Sequence, residues 1–452
     1  MSAEPLRPGH ALSLTQSGLL GRVEAFLGAG GQGSVYLADF DGRRLAYKMY
    51  HAHTLANDQR VIVRLRQAMA AGRPDERYLW PIDLAMANGR SELGYVMPLR
   101  EKRFRGMKDI IAAPPARMTP SLRAGATACL RIADSFLHLH ARGLCYQDIN
   151  FGNIFLDPVT GDIAICDNDN TDVNGAPAAV YGTRKFMAPE IVRREALPST
   201  QTDLYSMAVM LFYILMAWHP LDGKAEAAIA ILDGDAEYQL YGLNPRFLFH
   251  PQDDSNGPLA GMHEPIVMRW RRLSASVRAL LVRAFTAGLS SAPGARVLET
   301  EWRDAFARLR DSLVVCPGCG LEHACDADDG DPTAERFACI SCGGEVGLPL
   351  LLNLGRDRLA LHSGTQLFAH HLDPARRFDD SVALGQVEPH PADPAIAGLR
   401  NLDDRPWTAS FADGQTASVP PGKAMRLVAG TKVQFGRRNG VIDFAWKLQA
   451  GR

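Results

Sequence analysis

Residues 146–153 read Tyr-Gln-Asp-Ile-Asn-Phe-Gly-Asn, and they narrow sharply what this chain can be. An apolar, helix-like run at 129–140 leads into them. A turn at 157–162 and a short apolar strand at 163–166 follow, ending in Asp167. Asp148, Asn153 and Asp167 are therefore a carboxylate, an amide five residues on, and a second carboxylate beyond a hairpin. Singly, each would pass as a turn residue, because Asn and Asp favour turns. Together they form a set that phosphoryl transfer from a nucleotide uses. One carboxylate orients the attacking hydroxyl and accepts its proton, and the amide and the other carboxylate hold the metal that neutralises the phosphates.

Upstream, Gly28-Ala29-Gly30-Gly31-Gln32-Gly33-Ser34-Val35-Tyr36 precedes a strand-like alternation. Glycines let the backbone approach phosphate oxygens, with free N–H groups pointing at them. Alone, G-x-G-x-x-G fits a dinucleotide turn or a plain hairpin equally well. Val35, and Lys48 at the end of Arg44-Leu45-Ala46-Tyr47-Lys48, shift the balance toward a nucleotide-phosphate site.

These runs resemble the eukaryotic-type protein kinase family, whose loop reads H-R-D-L-x-x-x-N before D-F-G. Here the triplet is Asp167-Asn168-Asp169. Residues 181–190, Tyr-Gly-Thr-Arg-Lys-Phe-Met-Ala-Pro-Glu, match the family's G-T-x-x-(F/Y)-M-A-P-E, and Thr202-Asp203-Leu204-Tyr205-Ser206 matches its D-(V/L)-(W/Y)-S. The resemblance implies ATP with Mg2+ or Mn2+ in a cleft between two lobes, and Ser/Thr of a protein substrate as acceptor. It puts Gly28, Gly30, Gly31, Gly33, Val35 and Ala46 around the nucleotide and Lys48 on its α/β-phosphates. Met97 would gate the adenine pocket, with Leu99 and Arg100 in the hinge and the Arg100 amide as donor. Asp148 would be the base, Asn153 and Asp167 the metal ligands, and Thr183 the partner of Asp148. Asp203 would brace the catalytic loop, and Glu190 would pair with Arg296.

Four departures carry consequences. No Glu lies between Lys48 and Glu76, so the partner of Lys48 is Asp58, Glu76 or none. Gln147 replaces the arginine that reads a phosphorylated loop, so activity without loop phosphorylation is expected. Asn150 replaces a lysine that touches the transferring phosphate. Asp169 is either a capped turn or an extra metal contact. His138 and His140 read as core or capping histidines. The alternative to an enzyme is a pseudokinase scaffold that binds nucleotide and works through its C-terminal parts. A small-molecule phosphotransferase is disfavoured by the Ala-Pro-Glu run, which builds a peptide shelf.

Charge is balanced, 49 basic against 50 acidic residues, which gives no global pull toward nucleic acid or an anionic membrane. The most apolar run, 204–218, is too short to span a bilayer and reads as a buried helix. The N-terminal residues lack the apolar core of a secretory leader, so none is expected there, and eight cysteines with two close pairs suit a reducing, cytoplasmic setting with one metal site. Those pairs are Cys316/Cys319 and Cys339/Cys342, C-x2-C twice with about twenty residues between, a spacing that presents four thiolates to a structural Zn2+, with redox or iron–sulfur chemistry as the competing reading. Cys325 and His323 read as bystanders. From residue 348 the chain is strand-rich with short turns, which argues a small β-sandwich. Gly398-Leu399-Arg400-Asn401-Leu402, Trp407 and Pro420-Pro421-Gly422 resemble a forkhead-associated domain there. The fold class expected is thus multidomain α+β: a flexible tail (1–17), a bilobal kinase domain (18–312, lobes 18–98 and 101–312), a four-cysteine zinc ribbon (313–347) and the sandwich (348–452). The region 222–263 reads as a surface excursion. The loop and triplet also resemble those of bacterial kinases that work beside a metal-dependent protein phosphatase and a von Willebrand-type protein in stress systems.

Overall fold

The computed structural model describes residues 5–176, 182–325 and 336–444. Tyr181 and parts of the expected tail, ribbon and sandwich (1–4, 326–335, 445–452) lie outside them. The chain forms two compact units, residues 1–266 with 280–303, and 267–279 with 304–452.

The first unit opens with a closed barrel of β1 (Ala11–Leu14), β2 (Leu20–Ala29), β3 (Gly33–Phe40), β4 (Arg43–Tyr50), β5 (Asp83–Ala87) and β6 (Leu93–Pro98), in the order β1-β2-β3-β4-β6-β5. Alternation along β4 decides what faces where. Leu45, Tyr47 and Met49 fill the barrel with Leu12, Tyr36 and Val96. Ala46 and Tyr50 belong to the other face, packed with Val61 and Leu65 of helix α2 (Val61–Ala71), which follows the short α1 (Ala52–Asn57). Lys48 falls on that second face by the same period. Two glycines allow the strands to close: a Cβ on Gly33 would meet the Met49 carbonyl oxygen at 2.3 Å, and one on Gly94 the Lys48 carbonyl oxygen at 2.1 Å. Against the flexible tail expected over 1–17, its described part is ordered into the barrel from Ala11. Leu12 and Leu14 are buried, and β1 pairs with both β2 and β5.

The helical part is carried by α3 (Leu122–His140), capped by the Ser121 hydroxyl on the Ala124 N–H, and by α5 (Thr200–Met216), which starts with a Ser199/Thr202 capping box. Fourteen of the 17 residues of α5 are buried, so it is the buried helix its composition called for. The one-turn α4 (Pro189–Val192) precedes it. Around residues 146–153 lie short strands: β7 (Arg105–Gly106), β8 (Leu144–Cys145), β9 (Ile154–Leu156), β10 (Ile163–Ile165) and β11 (Asp172–Val173). The region 222–263 is more than a surface excursion. Tyr241, Phe247, Leu248 and Asn256 are buried, and Leu240 and Tyr241 pack on Val192 and Leu221.

The second unit contains two hairpins, β12 (Leu313–Val315) with β13 (Glu322–Ala324), and β14 (Arg336–Ala338) with β15 (Glu345–Gly347). Residues 267–279 also belong to this unit by their contacts: Arg272 donates to the Glu322 carbonyl, and its own carbonyl accepts the Ala324 N–H. Ten further strands follow: β16 (Leu350–Leu354), β17 (Asp357–Leu361), β18 (Gln366–Phe368), β19 (Ala383–His390), β20 (Asp393–Asn401), β21 (Trp407–Ser410), β22 (Thr416–Val419), β23 (Ala424–Arg426), β24 (Thr431–Phe435) and β25 (Arg438–Phe444). They make a six-stranded sheet, β17-β16-β25-β24-β21-β22, and a four-stranded one, β18-β19-β20-β23. One core takes Leu352, Trp407, Val433 and Ile442 from the first and Leu367, Val387 and Leu399 from the second.

Candidate active site

The hairpin β9–β10 brings two of the chemical groups together. Its register pairs Ile154 with Ile165, so Asn153 and Asp167 flank the same end, where the Cys166 N–H donates to the Asn153 carbonyl at 2.8 Å. Asp167 itself has φ +49°, in the left-handed region that a non-glycine residue adopts at a cost. The loop before the hairpin hangs from α5. Asp203 accepts the Tyr146 N–H at 2.5 Å on one oxygen and the Gln147 N–H at 3.0 Å on the other. His140, at the end of α3, lies 3.2 Å from the same carboxylate and contacts Glu299 through its other ring nitrogen.

Asp148 is the centre of a small polar web. One of its oxygens accepts from the Asn150 amide at 2.9 Å and from the Thr183 hydroxyl at 3.5 Å. The Asn153 amide donates to the Asp148 carbonyl at 2.8 Å and approaches the carboxylate at 3.4 Å. With its N–H group so used, Asn153 keeps its carboxamide oxygen as the ligand atom. Gln147 is tucked away and donates to Cys145 Sγ at 3.5 Å.

Lys48 reaches this end of the hairpin from β4. Its ammonium lies 3.1 Å from Asp167 and 2.9 Å from Asp169. Asp169 also accepts the Tyr50 hydroxyl at 2.5 Å. Neither candidate helix partner is used: Asp58 is paired with Arg64, and Glu76 is exposed. Nor does Asp169 cap a turn, since its carboxylate goes to Lys48 and Tyr50. Burial opposes the Lys48 charge, but Asp169 and Asp167 outweigh it and hold the lysine above its ordinary range. Burial likewise opposes the Asp169 charge, and Lys48 with the Tyr50 hydroxyl still keeps that carboxyl below its ordinary range. The Asp167 side chain is 38% exposed against 5% for Lys48, so Asp167 is the carboxylate that can meet an incoming ligand.

The glycine turn covers the same place. A Cβ on Gly28, Gly30 or Gly31 would meet no protein atom within 4 Å, which leaves room beneath backbone N–H groups for phosphate oxygens. Gln32 reaches in from this turn, accepting from Lys48 at 3.1 Å and donating to Asn170 at 3.3 Å. Val35 pairs across from Lys48, and Ala46 across from Met97, which is buried at the end of β6. Leu99 and Arg100 follow directly, with Leu99 exposed and the Arg100 guanidinium 4.1 Å over the Phe155 ring. Oxygen and amide ligands at Asp167 and Asn153, beside an open glycine cradle and a fixed ammonium, fit a hard divalent cation with a polyphosphate. Sequence reasoning missed Gln32, Tyr50 and the role of Asp169. The period of β4 puts Tyr50 on the face of Lys48, which was a usable signal.

Beneath the Ala-Pro-Glu turn, Glu190 accepts from Arg296 at 2.5 Å, both buried, and Arg296 also donates to the Gln201 carbonyl at 2.6 Å. In the second unit, the ligand atoms of Cys316, Cys319, Cys339 and Cys342 all lie within 4.8 Å of one another. Two Sγ–Sγ separations are 3.7 Å (Cys316–Cys342) and 3.6 Å (Cys319–Cys339). Tetrahedral Zn–S bonds of about 2.3 Å place sulfurs about 3.8 Å apart, so this set fits Zn2+. His323 is not a bystander, because its Nε2 sits 3.3 Å from Cys339 Sγ, where it can orient a thiolate.

Comparison with known proteins agrees with this geometry. A family model described as protein kinase domain matches residues 22–282. The chain is 29% identical over 147 residues to CBL-interacting protein kinase 4 of Oryza sativa subsp. japonica, covering 31% of this chain and 31% of that one. It is 36% identical over 86 residues to serine/threonine-protein kinase sck2 of Schizosaccharomyces pombe, and 35% over 91 residues to ribosomal protein S6 kinase alpha-6 of Mus musculus, covering 18% and 19% of this chain. The matches span 13% and 12% of those two relatives, so the chain matches less than a third of the length of each of the three. With more than half of its residues matched, this chain belongs to the protein kinase domain family.

Proposed function

We propose that the chain is a Ser/Thr protein kinase that transfers the γ-phosphoryl group of Mg·ATP, or Mn·ATP, to a hydroxyl of a protein substrate. The observation that carries the reading is the convergence of Lys48, Asp167 and the Asp148–Asn153 pair from three separate stretches onto one place. Bound Mg·ATP supplies the phosphoryl donor and the charge neutralisation its transfer needs. Asp148 orients the acceptor hydroxyl and takes its proton, with Thr183 and Asn150 fixing the carboxylate. Asn153 and Asp167 hold the metal, and Lys48 and the glycine turn hold phosphates. A cavity of about 550 Å³ lined by Arg184, Met187, Ile191, Val192, Arg194 and Leu197 lies beside the Ala-Pro-Glu turn and supports a peptide as substrate.

Three finer points belong to the same reading. Gln147 turns inward to Cys145, which supports activity without loop phosphorylation. The four cysteines hold a structural Zn2+ in a ribbon, and the sandwich serves as a docking module of the forkhead-associated kind. The Asp167-Asn168-Asp169 triplet favours a bacterial stress-signalling setting with a phosphatase and a von Willebrand-type protein as partners. The rival pseudokinase reading draws on Asn150, which bonds Asp148 and brings no cation to the transferring phosphate. Phosphosite mapping of the purified chain, incubated with ATP and Mg2+ after phosphatase treatment, decides between them. Sites in the wild type that vanish in Asp148→Ala are expected, and no incorporation in either overturns the enzyme.

A further inference from the structure

Lys48 takes no carboxylate from α2. Among the described residues its anions come from the Asp167–Asp169 triplet alone. The side chain of Asp169 is 1% exposed and is fixed by both Lys48 and Tyr50 of β4. Its main chain is fixed as well. Arg64 of α2, itself buried, donates from Nε to the Asp169 carbonyl at 3.2 Å, and its guanidinium is braced by Asp58. So α2 presents a cation to the triplet instead of an anion to the lysine.

We infer that Asp169 is the positioning residue for Lys48, and that Arg64 is the clamp through which α2 sets the place of Asp169. The inference rests on the kinase reading above. A buried ammonium needs a fixed anion to stay aimed. With Asp167 engaged by a metal, Asp169 would be the anion left on Lys48, and its side chain is only 1% exposed. Movement of α2 therefore reaches Lys48 in two steps, through Arg64 and the Asp169 main chain. The competing role for Asp169 is a third metal ligand, since its Oδ1 has no hydrogen-bond partner.

A double-mutant cycle on the full chain separates these roles, with phosphate transfer to casein as readout and Asp148→Asn as the inactive control. Lys48→Ala and Asp169→Asn are each expected to lower kcat about 100-fold, the scale of a small misplacement of a reacting group. The double variant should be no slower than Lys48→Ala alone, and the Mg2+ dependence of Asp169→Asn should match that of the wild type. Losses that multiply, or a tenfold higher Mg2+ requirement in Asp169→Asn, overturn the proposal and give Asp169 to the metal. Arg64→Met should lower kcat with little change in KM for ATP, and a wild-type kcat in Arg64→Met overturns the clamp. If Asp169→Asn does not fold, Tyr50→Phe replaces it in the cycle, since it removes a bond to the same carboxylate oxygen and keeps the ring. If the wild type transfers no phosphate, the kinase reading fails by itself. The cycle is then read in affinity for a fluorescent ATP analogue, where non-additive losses support the positioning role and additive losses overturn it.

Discussion

Replacing His140 by glutamine removes a buried cation from the support of the catalytic loop. The ring of His140 sits between Glu299 and Asp203, and its side chain is 9% exposed. Burial opposes its charge, yet the two carboxylates outweigh that and the imidazole is pushed up to about 9. A raised folded value means that the imidazolium stabilises the fold. The contribution is complete below the ordinary value near 6.5 and is lost as pH rises through about 9. The gap corresponds to roughly 3 kcal/mol, at about 1.4 kcal/mol per pH unit. Glu299 has the opposite sign: burial opposes its charge but His140 holds it below its ordinary range, so its contribution fades only in acid. Urea unfolding of wild type and His140→Gln, followed by circular dichroism from pH 6 to pH 9.5, reads the difference. The wild type should lead by about 3 kcal/mol at pH 6 and lose most of that lead by pH 9.5. A lead that is the same at both ends refutes the charged-histidine account, whatever its size.

Two other outcomes follow from the geometry. The purified chain should carry one zinc by elemental analysis, and Cys342→Ser or a strong chelator should release it and expose the β12–β15 hairpins to protease, because a unit this small folds with its metal. Arg296→Met should cost about 3–5 kcal/mol in unfolding free energy by leaving Glu190 buried and unpaired, and Arg296→Met with Glu190→Gln should recover much of it.

The catalytic loop, the glycine turn and the long helices were legible because each is local: a fixed spacing, a period, a capping residue. Ser121 and α3 are such a case. The anion on Lys48 was not, because the pairing joins positions 121 residues apart and α2 carries no acidic residue to supply it locally. The strand β1 has four residues, too few for a period to show, and it is defined by the neighbours it pairs with. Residues 222–263 are rich in Gly, Asp and Pro, and their few large apolar side chains are what the fold buries. His323 came into play only because the β12–β13 hairpin carries it to Cys339.

By joining β2 to β5, the short β1 closes the barrel, so that among the described residues its strands leave no free row of backbone N–H and C=O groups. An extended segment of another protein therefore has no template there on which to zip up, and neither does a second copy of this chain. Among the described residues, β17, β22, β18 and β23 keep one unpaired side at the ends of their sheets. Recognition by strand addition, and the aggregation that misuses it, is thereby closed off at the barrel, while the two long C-terminal sheets keep edges open to it.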